Sequence, residues 1–270
     1  MRPPGATSQP RLPARIARGI AKLLYPFVVL GVAWWGLAGW LDRPFAVPTP
    51  GDTWDRAIDL WRGDIFGMAS LRKSLLLTVT RIALAFALAA TTGVIVGSAL
   101  GRVRWFRQMF GPLVVFGFPI PKLAIYPGIV IALGLGMSSK VVLGYLEAFF
   151  PIVLATSAAT SQVPEKLLWS ARSVGYGRVG LVTGVVLPAA APGILTGLRV
   201  GLVGAIIGVF LGEMIFPSSG VGAIMVGSYR TIDAPGVYVA VASISVIGFV
   251  ADQLFLSGRR RLLHWSPEGA

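Results

Sequence analysis

Charged side chains within long apolar stretches are the residues of this sequence best suited to chemistry. Lys122 follows Pro119 and Pro121, and prolines at this spacing interrupt helical hydrogen bonding. A positive charge beside the backbone groups that the prolines leave unpaired could bind an anion, so we predict that this broken segment faces protein or a cavity. The alternative is that the Lys122 ammonium reaches a membrane interface or forms a structural ion pair.

Four further charges occupy similar apolar stretches: Arg81, Glu147, Arg199 and Glu213. Ionisable groups in such surroundings are costly and usually face a cavity or an opposite charge. We predict that Glu147 and Glu213 line a pathway together with Lys122. The alternative is that the two arginines extend to the interface or pair with these carboxylates. For Arg199, which lies near one end of its stretch, the structural role is favoured.

Residues for catalysis or metal binding are scarce. The sequence has no cysteine, which excludes disulfides, thiol catalysis and cysteine-ligated metals, and its single histidine, His264, lies in a basic tail. A phosphate-binding loop of the form G-x-x-x-x-G-K-[ST] is absent, because no lysine of the sequence follows a glycine. We therefore predict that the chain is not an enzyme and binds no metal or cofactor itself.

The composition is that of a membrane protein. Hydrophobic residues make up 55% of the 270 residues and charged residues only 13%, whereas a soluble domain carries about 25% charged residues. Because a spanning helix takes about 20 residues, five or six spans with their connections fill the length and leave no room for a nucleotide-binding domain. The predicted fold class is all-α, a polytopic membrane protein with about six transmembrane helices.

The net charge of +13 does not indicate a nucleic-acid-binding protein. Such a protein gathers Lys and Arg on one solvent-facing patch, whereas here basic clusters alternate with apolar runs, as in the short cytoplasmic loops of membrane proteins. The clusters place both termini and residues 161–187 inside, and residues 42–73 and 218–236 outside. Only Arg72 and Lys73 disagree with this orientation.

Six runs are predicted to span the membrane: Leu24–Leu41, Leu75–Gly101, Phe110–Leu135, Val141–Ala159, Ala189–Phe216 and Tyr238–Phe255. A cleaved signal peptide is the alternative for the first run, but that run is too long and no clear small-residue cleavage site follows it. The resulting organisation is a basic tail at 1–23, a first transmembrane helix at 24–41, an outer connection at 42–74, a core domain at 75–258 and a second tail at 259–270.

The polar stretch 161–188 is predicted to form two short helices. Pro164 suits the first turn of a helix, and four apolar residues then share one helical face: Leu167, Leu168, Ala171 and Val174. Gly175 is expected to end that helix and to allow a sharp bend. A second short helix is expected to end near Leu187. The pair would present a compact knob to a partner, or else lie on the membrane as an interfacial amphipathic helix.

Seven residues of this stretch stand at the spacing of the EAA loop of ABC-transporter permeases: Trp169, Ser170, Ala171, Gly175, Val185, Leu187 and Pro188. The family pattern is E-A-A, three residues, Gly, nine residues, Ile, one residue, Leu-Pro. Trp169 replaces the Glu, Ser170 replaces the first Ala and Val185 replaces the Ile, while the other four residues match. In that family the loop is where the ATPase pushes on the membrane subunit, so the resemblance implies an ATPase-coupling role here.

The resemblance extends over residues 45 to 255. Segments similar to the permeases for nitrate, taurine, alkanesulfonates and bicarbonate follow one another in the family's order: Val47–Pro50, Leu77–Phe86, Phe118–Ala124, Ala189–Arg199 and Gly212–Gly222. Each segment is short, but their order along the chain makes the resemblance specific. The chain therefore resembles a type I ABC importer permease.

The resemblance implies an importer assembled from separate subunits in a bacterial inner membrane. Two permease copies, expected to form a homodimer, would provide the pathway; cytoplasmic ABC ATPase subunits would use ATP, and an extracytoplasmic solute-binding protein would deliver the solute. The implied solute is a small organic or inorganic anion such as a sulfonate, taurine or nitrate, and a thiamine-precursor-like or other small ring solute is the alternative. An ATP-independent secondary transporter is a further alternative, but no internal repeat relates the two halves.

Overall fold

The computed structural model describes residues 12–41, 46–63 and 70–263, and this part is helical without strands. The helices follow in this order: α1 (Leu12–Leu41), α2 (Pro50–Arg62), α3 (Leu71–Arg102), α4 (Arg104–Gly117), α5 (Lys122–Leu133), α6 (Met137–Ser161), α7 (Glu165–Ser173), α8 (Arg178–Leu181), α9 (Leu187–Ile215), α10 (Val221–Arg230) and α11 (Ala234–Leu262). A π-helical turn, Val182–Val186, joins α8 to α9. His264 and parts of the predicted tails and outer connection lie outside the described residues.

Within the described residues, four helices are long and apolar enough to cross a membrane: α3, α6, α11 and the continuous helix Val179–Ile215. The pair α4 and α5 is a fifth candidate, bent by 99°. The break predicted within the Phe110–Leu135 span is therefore confirmed: the span is divided into two helices, because Pro119 and Pro121 interrupt the hydrogen-bond ladder. The predicted first span lies in α1, of which Val28–Leu41 is an apolar helical segment.

Helix α6 lies between α3 and α9, and glycines allow the three helices to approach closely. A Cβ atom at Gly97 of α3 would lie 2.7 Å from the Val153 carbonyl oxygen, and one at Gly204 of α9 would lie 2.7 Å from the Glu147 carbonyl oxygen. In lipid, where burial of apolar surface drives little helix association, such close backbone contact is a main source of stability. The apolar core between these helices is built from small and medium residues: Ile82, Ala85, Ala89, Ala148, Ile152, Ala205 and Val209.

The break between α4 and α5 occupies residues 118–121. The Lys122 Nζ atom donates a hydrogen bond to the Phe118 carbonyl oxygen at 2.8 Å, so a backbone group at the break is satisfied by a side chain. Helix α5 then packs against α6 and α9. There the buried Tyr126 hydroxyl donates to the Gly212 carbonyl oxygen at 3.1 Å. One polar contact thus spans the break, and a second one fastens α5 to α9.

Helix α2 lies in the predicted outer connection and packs against α11. Its start is a capping box, in which the Thr49 hydroxyl accepts from the Asp52 N–H and the Asp52 carboxylate accepts from the Thr49 N–H, both at 3.2 Å. Arg56 joins α2 to the turn before α11 through an ion pair with Asp233 at 2.6 Å. Helix α2 is therefore folded onto the bundle.

Candidate functional site

Helix α7 ends in a turn that favours glycine. Gly175 has a φ of +88°. The Tyr176 N–H donates to the Ala171 carbonyl oxygen, and the Gly175 N–H donates to the Arg172 carbonyl oxygen, each at 3.1 Å. These two bonds form a Schellman motif, which satisfies the last carbonyls of the helix and turns the chain. The predicted bend at Gly175 is confirmed.

The packed face of α7 is narrower than predicted. Leu168 and Ala171 are buried in a cluster that includes Leu181. Leu167 and Val174, predicted on the same face, are 47% and 73% exposed, so this part of the prediction was wrong. Val174 lies beyond the last residue of α7, and Leu167 stands one residue away from the packed face.

The loop exposes a group of large apolar side chains, which we term the inner apolar patch: Leu167, Trp169, Val174, Tyr176 and Val179. Trp169 is 60% exposed and Val179 is 77% exposed, and Ser170 beside Trp169 is exposed as well. Large exposed apolar side chains within so short a segment make it a candidate binding surface for protein or membrane.

A separate short helix was predicted after α7, but the chain there does not form one. α8, the π turn and α9 make one continuous helix, Val179–Ile215, of 37 residues. Pro188 has no N–H and its ring would collide with the carbonyl group four residues earlier. The Leu187 N–H instead donates to the Val182 carbonyl oxygen five residues back, and this wider turn accommodates the proline. The predicted helix end near Leu187 was wrong, and the loop runs directly into a membrane helix, in which Val185 and Leu187 are half-buried and Pro188 is exposed.

Lys122 is buried at the break and held there by its neighbours. Its Nζ atom lies 2.8 Å from the Phe118 carbonyl oxygen and 3.8 Å from Oε2 of Glu147. The same atom lies 5.3 Å from the ring centroids of Phe118 and Phe150, within the range of cation–π attraction. Glu147 is partly exposed and both prolines of the break are exposed, so a paired charge stands beside an open surface.

Glu213 is fully buried and pairs with Arg81 at 2.7 Å, which confirms the pairing alternative for this arginine. The Thr78 hydroxyl donates to the carboxylate at 2.9 Å and the Gly222 N–H donates to it at 3.0 Å. Arg81 also donates to the carbonyl and the hydroxyl of Ser219, at 3.0 and 2.7 Å. The network fastens the chain after α9 to α3, and a place for Glu213 in a pathway stays a prediction.

Arg199 pairs with neither Glu147 nor Glu213, so that pairing alternative was wrong for this residue. Its Nε and Nη2 atoms donate to the two carboxylate oxygens of Asp252 at 2.7 and 2.8 Å, in a bidentate pair that joins α9 to α11. Sequence reasoning missed Asp252, because the choice of partner depends on how the two helices cross.

Lys140 is a second residue that sequence reasoning missed. It falls in the short stretch between the predicted spans Phe110–Leu135 and Val141–Ala159, but α6 begins at Met137 and the Lys140 side chain is fully buried. Its Nζ atom donates to the Leu135 carbonyl oxygen at 3.1 Å and to the Ser218 hydroxyl. A lysine between two predicted spans is expected to be exposed to water. Only the apolar run that begins at Val141 indicated that Lys140 could be buried.

The helices form a close-packed apolar bundle that contains a broken helix beside paired charges, as in a polytopic membrane protein. The chain belongs to the family of binding-protein-dependent transport system inner membrane components, which matches residues 71–262. This confirms the family that the EAA-like loop indicated.

Two relatives and one solved structure support the assignment. The taurine transport system permease protein TauC of Escherichia coli is 30% identical over 254 residues, covering 94% of this chain and 92% of the relative. SsuC of Bacillus subtilis, a permease assigned to aliphatic sulfonate transport, is 30% identical over 248 residues, covering 90% of this chain and 86% of the relative. The fold is similar to that of the MetNI methionine ABC transporter, with a TM-score of 0.58, 18% identity, and coverage of 69% of this chain and 95% of that chain. The fold class is therefore that of a type I ABC importer permease, as predicted.

Proposed function

We propose that this chain forms the solute pathway of an ATP-driven importer for a small anion, with taurine and other sulfonates as the first solutes to test. The similarity to a taurine permease and to a sulfonate permease supports this class of solute. A buried ammonium at the helix break, that of Lys122, is consistent with it, because a cation in a low-dielectric setting attracts anions strongly. Nitrate belongs to the same class of small anions.

The inner apolar patch carries the ATP-driven part of the proposal. Large apolar side chains on a polar loop gain most by binding another protein, and Trp169, in the place of the family's Glu, supplies an aromatic anchor. We infer that the patch binds the ABC ATPase. Because the loop continues directly into α9, which packs closely along α6, a push on α7 would be transmitted to the bundle.

The remaining subunits of the proposed transporter are inferred from the family. Two copies of this chain would enclose the pathway between them, and a solute-binding protein would dock on the opposite side from the ATPases. The orientation we propose places both termini and α7 in the bacterial cytoplasm, and α2 and α10 outside. ATP would be bound and hydrolysed by the partner subunits alone.

Reconstitution of the complete transporter tests the proposal. The permease is assembled in proteoliposomes with its ATPase and binding protein, and uptake of labelled taurine is measured with and without ATP. ATP-dependent uptake that excess alkanesulfonate or nitrate suppresses is expected. Uptake that needs no ATP would contradict the importer mechanism, and suppression by a thiamine precursor but not by any anion would contradict the solute class.

A further inference from the structure

The loop between α9 and α10, residues 216–220, is fastened to the bundle on two sides. On the first side, Ser219 binds Arg81, which is ion-paired with the fully buried Glu213 at 2.7 Å. Thr78 links the same carboxylate to the first turn of α10, because its hydroxyl also accepts from the backbone at 3.0 Å. Opposite charges and several hydrogen bonds meet here, so this side is the firm attachment.

The second side has a different chemistry. The Ser218 hydroxyl donates to the Leu135 carbonyl oxygen at 3.0 Å and accepts from the Lys140 ammonium, which itself donates to the Leu135 carbonyl oxygen at 3.1 Å. The three groups close a triangle. Lys140 is fully buried, and within the described ranges no carboxylate lies within ion-pair distance of it. The ammonium is therefore held by neutral oxygen atoms, and one of them belongs to an exposed serine.

The triangle links two parts of the chain that are far apart in sequence. Leu135 lies in the turn that follows α5, the helix directly after the break, and the preceding Gly134 has a φ of +80°. Ser218 lies in the loop that α9 leads into. A movement of that loop would therefore pull on the turn that ends the broken helix.

We propose that Lys140, Ser218 and the Leu135 carbonyl form a latch that holds the α9–α10 loop closed over the ends of α5 and α6, and that opening this latch is a step of transport. A buried cation whose direct partners are all neutral oxygen atoms is costly, and water would stabilise it once the loop lifts. The closed and open arrangements are thereby brought close in free energy, as a switch requires. The ion pair of Arg81 and Glu213 stays closed and serves as the hinge side. The transport step rests on the proposed function, whereas the latch itself does not.

A cysteine reporter tests the latch without any partner subunit. Ser139 is fully buried beside Lys140, and the native chain has no cysteine, so Ser139→Cys gives a single reactive site. The rate of its modification by a small methanethiosulfonate is measured in permeabilised membranes. Adding Ser218→Ala should raise that rate about tenfold or more, the effect expected for losing a hydrogen bond to a charged group. Adding Ser138→Ala, the same change at an exposed neighbour, should leave it unchanged. Equal rates in the two double variants would overturn the latch.

The complete transporter then separates a switch from a structural contact. Ser218→Ala should raise ATP hydrolysis in the absence of binding protein severalfold and reduce its stimulation by binding protein. Lys140→Met, which removes the ammonium, should act in the same direction. Two results would overturn the role in transport. One is faster labelling of Ser139→Cys with unchanged ATP hydrolysis, and the other is a lowered thermal midpoint with normal stimulation by the binding protein. If the unmodified transporter shows no ATP-dependent uptake, the proposed function fails, while the labelling result still decides whether the latch exists.

Discussion

At the scale of single residues, Lys122 has contacts that suit both roles that the sequence leaves open, namely anion binding in a pathway and a structural ion pair. Its ammonium contacts a carbonyl oxygen, a carboxylate and two aromatic rings, so part of its charge stabilises the break itself. The pairing with Glu147 at 3.8 Å is loose, and Glu147 is partly exposed. An anionic solute near the break could therefore compete with Glu147 for the ammonium, which makes the pathway role testable.

Replacing Lys122 by methionine should reduce transport while the subunit still folds. Methionine keeps the length and the apolar contacts with Phe118 and Phe150 but removes the charge, so we expect the uptake rate to fall by about tenfold or more, equivalent to roughly 1.4 kcal/mol of lost stabilisation. Lys122→Arg should retain part of the activity, because the charge survives while its shape changes. Lys73→Met, at an exposed lysine, is the control. Full uptake by the Lys122→Met transporter would show that the ammonium has no part in the pathway.

That a charge in an apolar run needs a partner or a cavity could be predicted from the sequence, whereas the identity of the partner could not. Pairing of Arg81 and Arg199 with Glu147 or Glu213 was one of the alternatives, and the ion pair of Arg81 with Glu213 confirms it for that arginine. Arg199 was matched wrongly, since Asp252 comes within 2.7 Å only through the crossing of α9 and α11. Lys140 was missed because its burial depends on the turn before α6 folding under the α9–α10 loop. Partner choice of this kind is a property of tertiary packing.

At the scale of elements, the turn after α7 decides where the inner apolar patch points. A Cβ atom meets nothing within 4 Å at either Gly175 or Gly177, but only Gly175 has a left-handed φ. If a substitution has an effect at Gly175 but not at Gly177, the cause is therefore the backbone conformation. A side chain in the left-handed conformation costs about 1–2 kcal/mol of stability.

Gly175→Asp should abolish ATP-dependent uptake without preventing insertion into the membrane, because the misplaced patch no longer fits its partner. Gly177→Asp adds the same charge two residues away at an ordinary φ and should leave most of the uptake intact. Uptake in vesicles and the amount of permease in the membrane fraction are measured for both variants. Normal uptake by the Gly175→Asp transporter would remove the basis for the coupling role.

A second turn of the same type ends α10, but without a glycine. The Ile232 N–H donates to the Tyr229 carbonyl oxygen at 3.2 Å and the Asp233 N–H donates to the Ser228 carbonyl oxygen at 2.9 Å, which places Ile232 where a Schellman motif usually has glycine. Ile232 has a φ of +58° and is 80% exposed. A β-branched residue is strained in this conformation and gains little from burial here.

Ile232→Gly should therefore stabilise the permease, by about 1 kcal/mol, since it relieves the strain and loses almost no packing. The adjacent Thr231 has a φ of −98°, so Thr231→Gly should instead lower stability slightly. Thermal midpoints of the two purified variants in detergent give the comparison. A lower midpoint for Ile232→Gly than for the native chain would mean that the isoleucine side chain contributes more than its exposure indicates.

The sequence predicts helices that coincide with long apolar runs, and breaks that coincide with proline or glycine. It does not predict the π turn or the short helices α2 and α10. α3, α6 and α11 match long apolar runs, and the α4–α5 break and the Gly175 turn follow from proline and glycine chemistry. The continuity of α8 with α9 depends on a π turn, and no residue pattern in the sequence predicts that turn. α2 and α10 lie in stretches predicted only as outer connections, because short amphipathic helices leave a weaker pattern than membrane spans.

At the scale of the whole molecule, charge is distributed unevenly between the two ends of the bundle. Basic residues gather at the C-terminal ends of α3 and α11, near the side from which α7 projects, while α2 at the opposite side carries Asp52, Asp55 and Asp59. Arg72 and Lys73, at the start of α3, are the exception. Short basic flanks face the cytoplasm in polytopic membrane proteins. The loop that we propose to bind the ATPase and helix α2 must then lie on opposite sides of the membrane, and the proposed mechanism depends on that separation.

Cysteine accessibility tests this orientation directly, and the cysteine-free native chain provides a clean background. Asp59 of α2 and Ser173 of α7 are both exposed, so single cysteines at these positions should react freely with a thiol reagent that reaches them. In intact cells with an accessible outer face, an impermeant maleimide should label Asp59→Cys at once, whereas Ser173→Cys should require permeabilisation. Thr156→Cys, at a fully buried position in α6, should stay unlabelled in both conditions. Labelling of Asp59→Cys and Ser173→Cys from the same side would place the inner apolar patch beside α2, out of reach of a cytoplasmic ATPase, and the coupling proposal would have to be abandoned.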